Sequence, residues 1–305
     1  MAAHNHNLLN SEKPEFLNVL WATQHTSMPQ AEVNGTEIYY EVSGREDATP
    51  MVLQGHSHKP WLLQVLYFSD YYKVITFDRR GTGFSEDPPG QWTMEDLAED
   101  MHGLLEHLDV DEAIIGGWSA GGNIACQFAL DNPSMVKALL LGGSLPYRNE
   151  LVKEWYDEMI ETRTRLDHQP RSNDWEEKGE RPHYNPEMDS WPLGSYINNQ
   201  LEESRKKGRT EEQRMDNWVK LLEILRDWDV RERQSELEEL GEDTPVLLFY
   251  GSNEVPNEIQ LGFEWHKMIP NSEFILMEGL YHGASREDPE QFNSIIHSFL
   301  KRHGL

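Results

Sequence analysis

The segment Gly117-Trp118-Ser119-Ala120-Gly121 places a serine between two glycines in the pattern G-x-S-x-G. It follows the apolar run Ala113-Ile114-Ile115-Gly116 and opens a helical stretch over residues 121–131. A serine on a tight strand-to-helix turn needs glycine neighbours so that adjacent backbone can pass without a clash. Its hydroxyl then projects above the sheet edge at a helix N-terminus, where partial positive charge favours a developing anion. These residue types suit nucleophilic attack on a carbonyl carbon, with Ser119 as nucleophile. A serine hydroxyl is a poor nucleophile without a base. Position must choose that base among 13 histidines. His282 lies just past the last strand-like run, residues 273–277, and ahead of the final helical stretch. Loops at the C-terminal ends of parallel strands are where such sheets carry chemistry. His266 and His297 fall inside helical stretches and read as ordinary helix residues.

An imidazole base needs a carboxylate to fix its tautomer and stabilise its charge. The chain order serine, acid, histidine places that acid between residues 119 and 282. Glu254 is the first carboxylate after the strand-like run 246–250 and is the preferred residue. Glu258 begins the next helix and reads more simply as an N-terminal helix acid. Glu150 is a second possibility, and Asp227 and Asp229 are further ones. An oxyanion needs two backbone donors. One is expected from the amide of Ala120, the other from His56 in the loop Gln54-Gly55-His56-Ser57-His58. Trp118, beside the nucleophile, is a candidate substrate contact. His56 and His58 together could suggest a metal. With no acidic or cysteine partner nearby in sequence, no metal is expected.

These residues need elements to hold them. Asn34-Gly35 is a tight-turn signal flanked by strand formers, so residues 31–42 read as a hairpin. Residues 51–53, 74–77, 113–116 and 136–141 are short apolar runs and read as buried strands. Residues 93–108 carry Leu97, Met101, Leu104, Leu105 and Leu108 on one helical face, with Thr93 as N-cap and Asp96 three residues on. Strands alternating with helices imply an α/β fold: a mostly parallel β-sheet with helices on both faces. The alternation stops from about residue 146 to 243. There the chain turns charged and carries Trp155, Trp175, Trp191, Trp218 and Trp228; Trp218, Leu221, Leu222 and Leu225 keep helical spacing. This stretch reads as a helical insertion. Residues 1–30 read as a polar extension, leaving 31–145 and 244–305 as the core.

The 305 residues include 54 acidic and 27 basic side chains, a formal net charge of −27. That charge argues against nucleic acid and against an anionic membrane surface. It fits a solvated acidic coat. The single cysteine, Cys126, excludes an intramolecular disulfide and reads as a small buried hydrophobe. No signal-peptide pattern and no long apolar run is seen, so a cytoplasmic protein is the expectation. Oligomeric state is not legible.

The segment Asp78-Arg79-Arg80-Gly81-Thr82-Gly83-Phe84-Ser85 is similar to the D-x-R-G-x-G-x-S segment of the α/β-hydrolase superfamily. Gly117-Trp118-Ser119-Ala120-Gly121-Gly122 resembles the nucleophile turn of its carboxylesterases and enol-lactonases. The resemblance covers residues 31–302 and is weakest across the insertion. It implies a triad of Ser119, Glu254 and His282, oxyanion donors at His56 and Ala120, and a helical cap (lid) over 146–243 that forms the substrate pocket. It implies hydrolysis of a small carboxylic ester or lactone through an acyl-enzyme, with no cofactor. Two departures stand out: Gln54-Gly55 replaces the usual His-Gly, and Glu254 stands where the family usually has Asp. A carbon–carbon bond hydrolase or an iminopeptidase-type enzyme would use the same triad. A ligand-binding protein with little turnover is the reading from another class.

Overall fold

The computed structural model describes residues 29–55, 57–164 and 208–305. Most of the expected N-terminal extension, His56, and the middle of the insertion with Trp175 and Trp191 lie outside the described residues.

Eight strands form one sheet: β1 (Gln30–Val33), β2 (Thr36–Gly44), β3 (Pro50–Gln54), β4 (Lys73–Phe77), β5 (Ala113–Trp118), β6 (Val136–Gly142), β7 (Val246–Gly251) and β8 (Glu273–Met277). Their spatial order is β1-β2-β4-β3-β5-β6-β7-β8. β1 and β2 pair antiparallel, as do β2 and β4; every other pairing is parallel. The β1–β2 turn is made by Asn34 at φ 45° and Gly35 at φ 70°. Two successive left-handed residues match the twist of a two-residue hairpin.

The helices are α1 (Leu62–Phe68), α2 (Met94–His107), α3 (Ala120–Asp131), α4 (Glu150–Thr164), α5 (Glu211–Asp227), α6 (Gln234–Asp243), α7 (Pro256–Met268), α8 (Ala284–Glu287) and α9 (Pro289–Arg302). Side chains alternate across each strand, so the sheet feeds two cores. Val52, Ile75, Phe77 and Ile115 pack with Leu97, Met101, Ile124, Phe128 and Trp265 on one face. Met51, Leu53, Ile114 and Phe249 pack with Phe68, Phe292, Ile296 and Phe299 on the other. α2 starts at a capping box: Asp96 N–H donates to Thr93 Oγ1 at 3.1 Å, and Thr93 N–H donates to Asp96 Oδ2 at 2.9 Å. In the stretch read as an insertion, α4 packs on α5, while α6 packs on α3 and α7. Trp228 is buried and Trp155 exposed. Cys126 is fully buried, and burial pushes its thiol pKa up, as suits a packing residue. Among the described residues, no helix is long and apolar enough to cross a membrane.

Topology locates the chemistry. From β3 the chain crosses to β4 on one side; the next strand, β5, pairs on the other side of β3. The order reverses there, so a crevice opens beyond the C-terminal ends of β3 and β5. Gln54 and Gly117 are register partners at that edge.

A buried ion pair ties the loop after β4 to α2. Arg80 Nε donates to Asp100 Oδ2 at 2.7 Å and Nη2 to Oδ1 at 2.5 Å. Removing one member leaves a buried charge uncompensated, which costs about 3 kcal/mol. Arg80→Met is therefore expected to lower stability by about that amount in urea unfolding. Arg45→Met, which breaks the exposed Arg45–Asp47 pair, should leave the midpoint unmoved.

Candidate active site

Ser119 sits between β5 and α3 with φ 58° and ψ −126°, a conformation that side-chain-bearing residues rarely adopt. The surroundings hold it there. Its N–H donates to Gly142 O at 2.8 Å, and its carbonyl accepts from Gly122 N–H at 3.0 Å and Ser144 Oγ at 2.9 Å. A Cβ on Gly117 would lie 2.1 Å from Gly121 O, and one on Gly121 would lie 2.0 Å from Gln54 O. The sheet edge and the helix start thus touch backbone to backbone. Ala120 opens α3, so its amide is among the first-turn donors that have no helical acceptor.

His282 follows β8 and is 5% exposed. Glu287 in α8 accepts from the N–H groups of Tyr281 at 2.9 Å and Gly283 at 3.1 Å, which fixes the loop. Trp118 adds a tie across the sheet: its Nε1–H donates to His282 O at 2.9 Å. Its indole also packs against Phe249, His282 and Phe292. The sequence reading took Trp118 only as a substrate contact; this anchoring of the His282 loop is additional and spans 164 residues. The His282 ring lies over the end of β6, where a Cβ on Gly143 would come within 3.1 Å of its Cε1. Gly142, one residue earlier, carries the carbonyl that binds Ser119 N–H.

Glu254 follows β7 and is fully buried. Gly251 N–H donates to its Oε1 at 2.8 Å, and His282 Nδ1 stands 3.1 Å from its Oε2. A carboxylate can only accept, so Nδ1 carries the hydrogen and Nε2 is left with its lone pair. Glu150 is exposed at the start of α4. Asp227 pairs with Arg226, and Asp229 with Arg231. Glu258, in the first turn of α7, is buried, and one donor atom each from Glu254, Glu258 and His282 lie within 4.8 Å of one another. Those three could hold a metal ion; the hydrogen bond between Nδ1 and Glu254 satisfies that pair without one. Beneath them, Tyr250 donates from its hydroxyl to Ser144 O at 2.5 Å. Burial first, then the Glu254 and Glu258 carboxylates, hold that phenol's pKa well above its ordinary value, so it stays a neutral donor.

His56 lies outside the described residues. Its neighbour His58 corrects one sequence argument, which found no acidic partner nearby. Folding supplies two: Nδ1 is 2.6 Å from Asp78 Oδ1, and Nε2 is 3.3 Å from Glu41 Oε1. The two carboxylates approach opposite ring nitrogens, so they do not converge as a chelate. Asp78 also accepts from the N–H groups of His58 at 2.9 Å and Phe84 at 2.8 Å. One aspartate therefore pins the loop after β3 to the loop after β4. Elsewhere, a depression of about 550 Å³ lies between residues 91–95 and α5, lined in part by Trp92, Lys220 and Trp228. None of Ser119, Glu254 and His282 lines it.

A family model described as "alpha/beta hydrolase fold" matches residues 53–289, spanning the serine turn, the acid and the histidine. The chain belongs to the α/β-hydrolase fold family. It is a hydrolase by that membership. Its similarity to 3-oxoadipate enol-lactonase 2 of Acinetobacter baylyi is 24% identity over 267 residues, 86% of this chain and 92% of that one. It is also 24% identical over 274 residues to RutD of Pantoea ananatis, named as a candidate carbamate hydrolase, covering 87% of this chain and 94% of the relative. Among solved structures, the enol-lactonase from Burkholderia xenovorans LB400 superposes with a TM-score of 0.71 at 21% identity, covering 90% of this chain and 100% of that one.

The close backbone contact at Gly121 gives a direct test. A methyl group there must push α3 away from β3, moving Ser119 by about an ångström; misplacement of that size costs roughly a hundredfold in rate. Gly121→Ala should lose about that much kcat on a p-nitrophenyl ester, with a lowered unfolding midpoint. Unchanged turnover would show that the helix start can yield.

Proposed function

We propose that this protein is a cytoplasmic serine hydrolase that cleaves a small carboxylic ester or lactone through an acyl-enzyme. The observation that carries the reading is the buried Glu254–His282 hydrogen bond at the sheet edge where Ser119 occupies its strained turn. Ser119 Oγ attacks the carbonyl carbon while its proton passes to His282 Nε2. Glu254 holds the imidazolium through Nδ1–H. The oxyanion accepts from the amides of Ala120 and His56. Breakdown returns the proton to the leaving oxygen, giving an ester of Ser119 and, for a lactone, a tethered alcohol. Water activated by the same imidazole then releases the acid. Trp118 forms one wall beside the nucleophile, and residues 146–243 form the cap that selects the acyl or ring portion. Enol-lactonase, named for a relative alignable along most of its length, supports a lactone among the substrates to try.

A fluorophosphonate probe followed by intact-mass measurement tests the nucleophile. One adduct per chain is expected, and none in Ser119→Ala. A panel of p-nitrophenyl esters and lactones tests the substrate class, with kcat/KM falling at least a thousandfold in Ser119→Ala. Glu254→Gln should cost orders of magnitude in kcat and Glu150→Gln nothing measurable. A parent protein that neither labels nor turns over any ester would overturn the proposal in favour of a binding role.

A further inference from the structure

Glu258 occupies the third position of α7, after Val255 as N-cap and Pro256. Acids in a helix's first turn are stabilised by its dipole and ordinarily face water. Glu95 on α2, Glu211 and Glu212 on α5, and Glu290 on α9 do so, all exposed. Glu258 instead is 8% exposed and turned inward, with a carboxylate oxygen within 4.8 Å of both Glu254 and a His282 ring nitrogen. Two carboxylates this close, away from water, repel one another unless positive charge stands near them.

One such charge is Arg148, ahead of α4. It is 4% exposed, and its Nη2 donates to Asn123 Oδ1 at 3.0 Å. Among the described residues no carboxylate lies within ion-pair distance of it. Tyr250 on β7 reports that the three charges share one region: besides burial, Glu254 and Glu258 raise its pKa and Arg148 lowers it. The groups facing His282 are therefore Glu254, Glu258, Tyr250 and, farther off, Arg148. With His282 neutral, two carboxylates and one guanidinium sum to −1. With His282 protonated they sum to zero.

We propose that Glu258 is a positioning residue acting through His282, a second carboxylate that makes this buried cluster electrically neutral only when the imidazole carries the proton taken from Ser119. It favours the imidazolium of the transition state, the task of Glu254 shared over two side chains. The inference rests on the serine-hydrolase reading above.

The test is the pH profile of kcat/KM on a p-nitrophenyl ester, with His282 titrated in parallel by NMR. Glu258→Gln removes a negative charge, so His282 protonates less readily. Its titration and the acid limb should both move to lower pH by about one unit, with kcat down about tenfold and KM held. Arg148→Gln removes a positive charge and should move both to higher pH. Opposite shifts are not produced by general damage, and Arg148→Gln carries the test alone if Glu258→Gln does not fold. Glu254→Gln/Glu258→Gln should fall below Glu254→Gln. If the parent labels at Ser119 but both single variants titrate as it does, the role of Glu258 is overturned and the serine-hydrolase reading stands. If the parent fails to label, both are overturned.

Discussion

The whole site depends on one backbone contact: the first turn of α3 pressed against the last residue of β3. Gly121 lies against the Gln54 carbonyl so closely that a Cβ would come within 2.0 Å of it. That approach forces the chain to reverse within one residue, and Ser119 takes the positive φ that the reversal requires. The cost of such a backbone is of order 1–3 kcal/mol, sustained only where the surroundings over-determine it. Here they do so through the parallel sheet. Ser119 N–H is bound to Gly142 O, which extends the β5–β6 ladder one residue past the strand end. The hydroxyl is thus mounted on the most rigid part of the molecule and aimed by it.

The remaining groups are mounted less directly, each on a loop held by side chains. Glu287 grips two amides of the His282 loop, and Trp118 grips its carbonyl from across the sheet. Asp78 joins the loops after β3 and β4 through His58 and Phe84. Arg80 joins the second of these to α2 through Asp100. Strands supply accuracy, and charge-assisted hydrogen bonds carry it outward into irregular chain, where they are stronger than neutral ones.

What was legible in the sequence follows the range of the forces involved. The β1–β2 hairpin reads from Asn34-Gly35 because the turn's dihedrals are a property of those two residues. The α2 start reads from Thr93 and Asp96 because capping acts over three positions. Apolar runs disclose strands because both faces of a parallel sheet are buried. The neighbourhood of Glu254 and His282 is foreseeable because adjacent parallel strands, β7 and β8, deliver both loops to one end. Contacts without period or fixed spacing left no such trace. Nothing local to His58 announces Glu41 or Asp78, and nothing near Trp118 announces a carbonyl 164 residues away. Glu258 was hidden differently: its place in the first turn of α7 already has a sufficient local explanation, and only burial shows that it faces inward.

Charge separates the surface from the interior. The formal charge of −27 reflects 54 acidic residues, yet among the described residues the buried carboxylates are Asp78, Asp100, Glu254 and Glu258. Asp78 faces His58, Asp100 is forked by Arg80, and Glu254 faces His282. Glu258 stands beside the Glu254–His282 pair. The exposed acids act on the site only through water and salt, across distances that a Debye length of about 8 Å at physiological ionic strength largely screens. The buried ones act at contact distance in a medium that weakens them far less. Added salt should thus alter the protein's solubility and the approach of charged substrates well before it alters the basicity of His282. The acidic coat and the acidic site are chemically the same groups, made independent by depth.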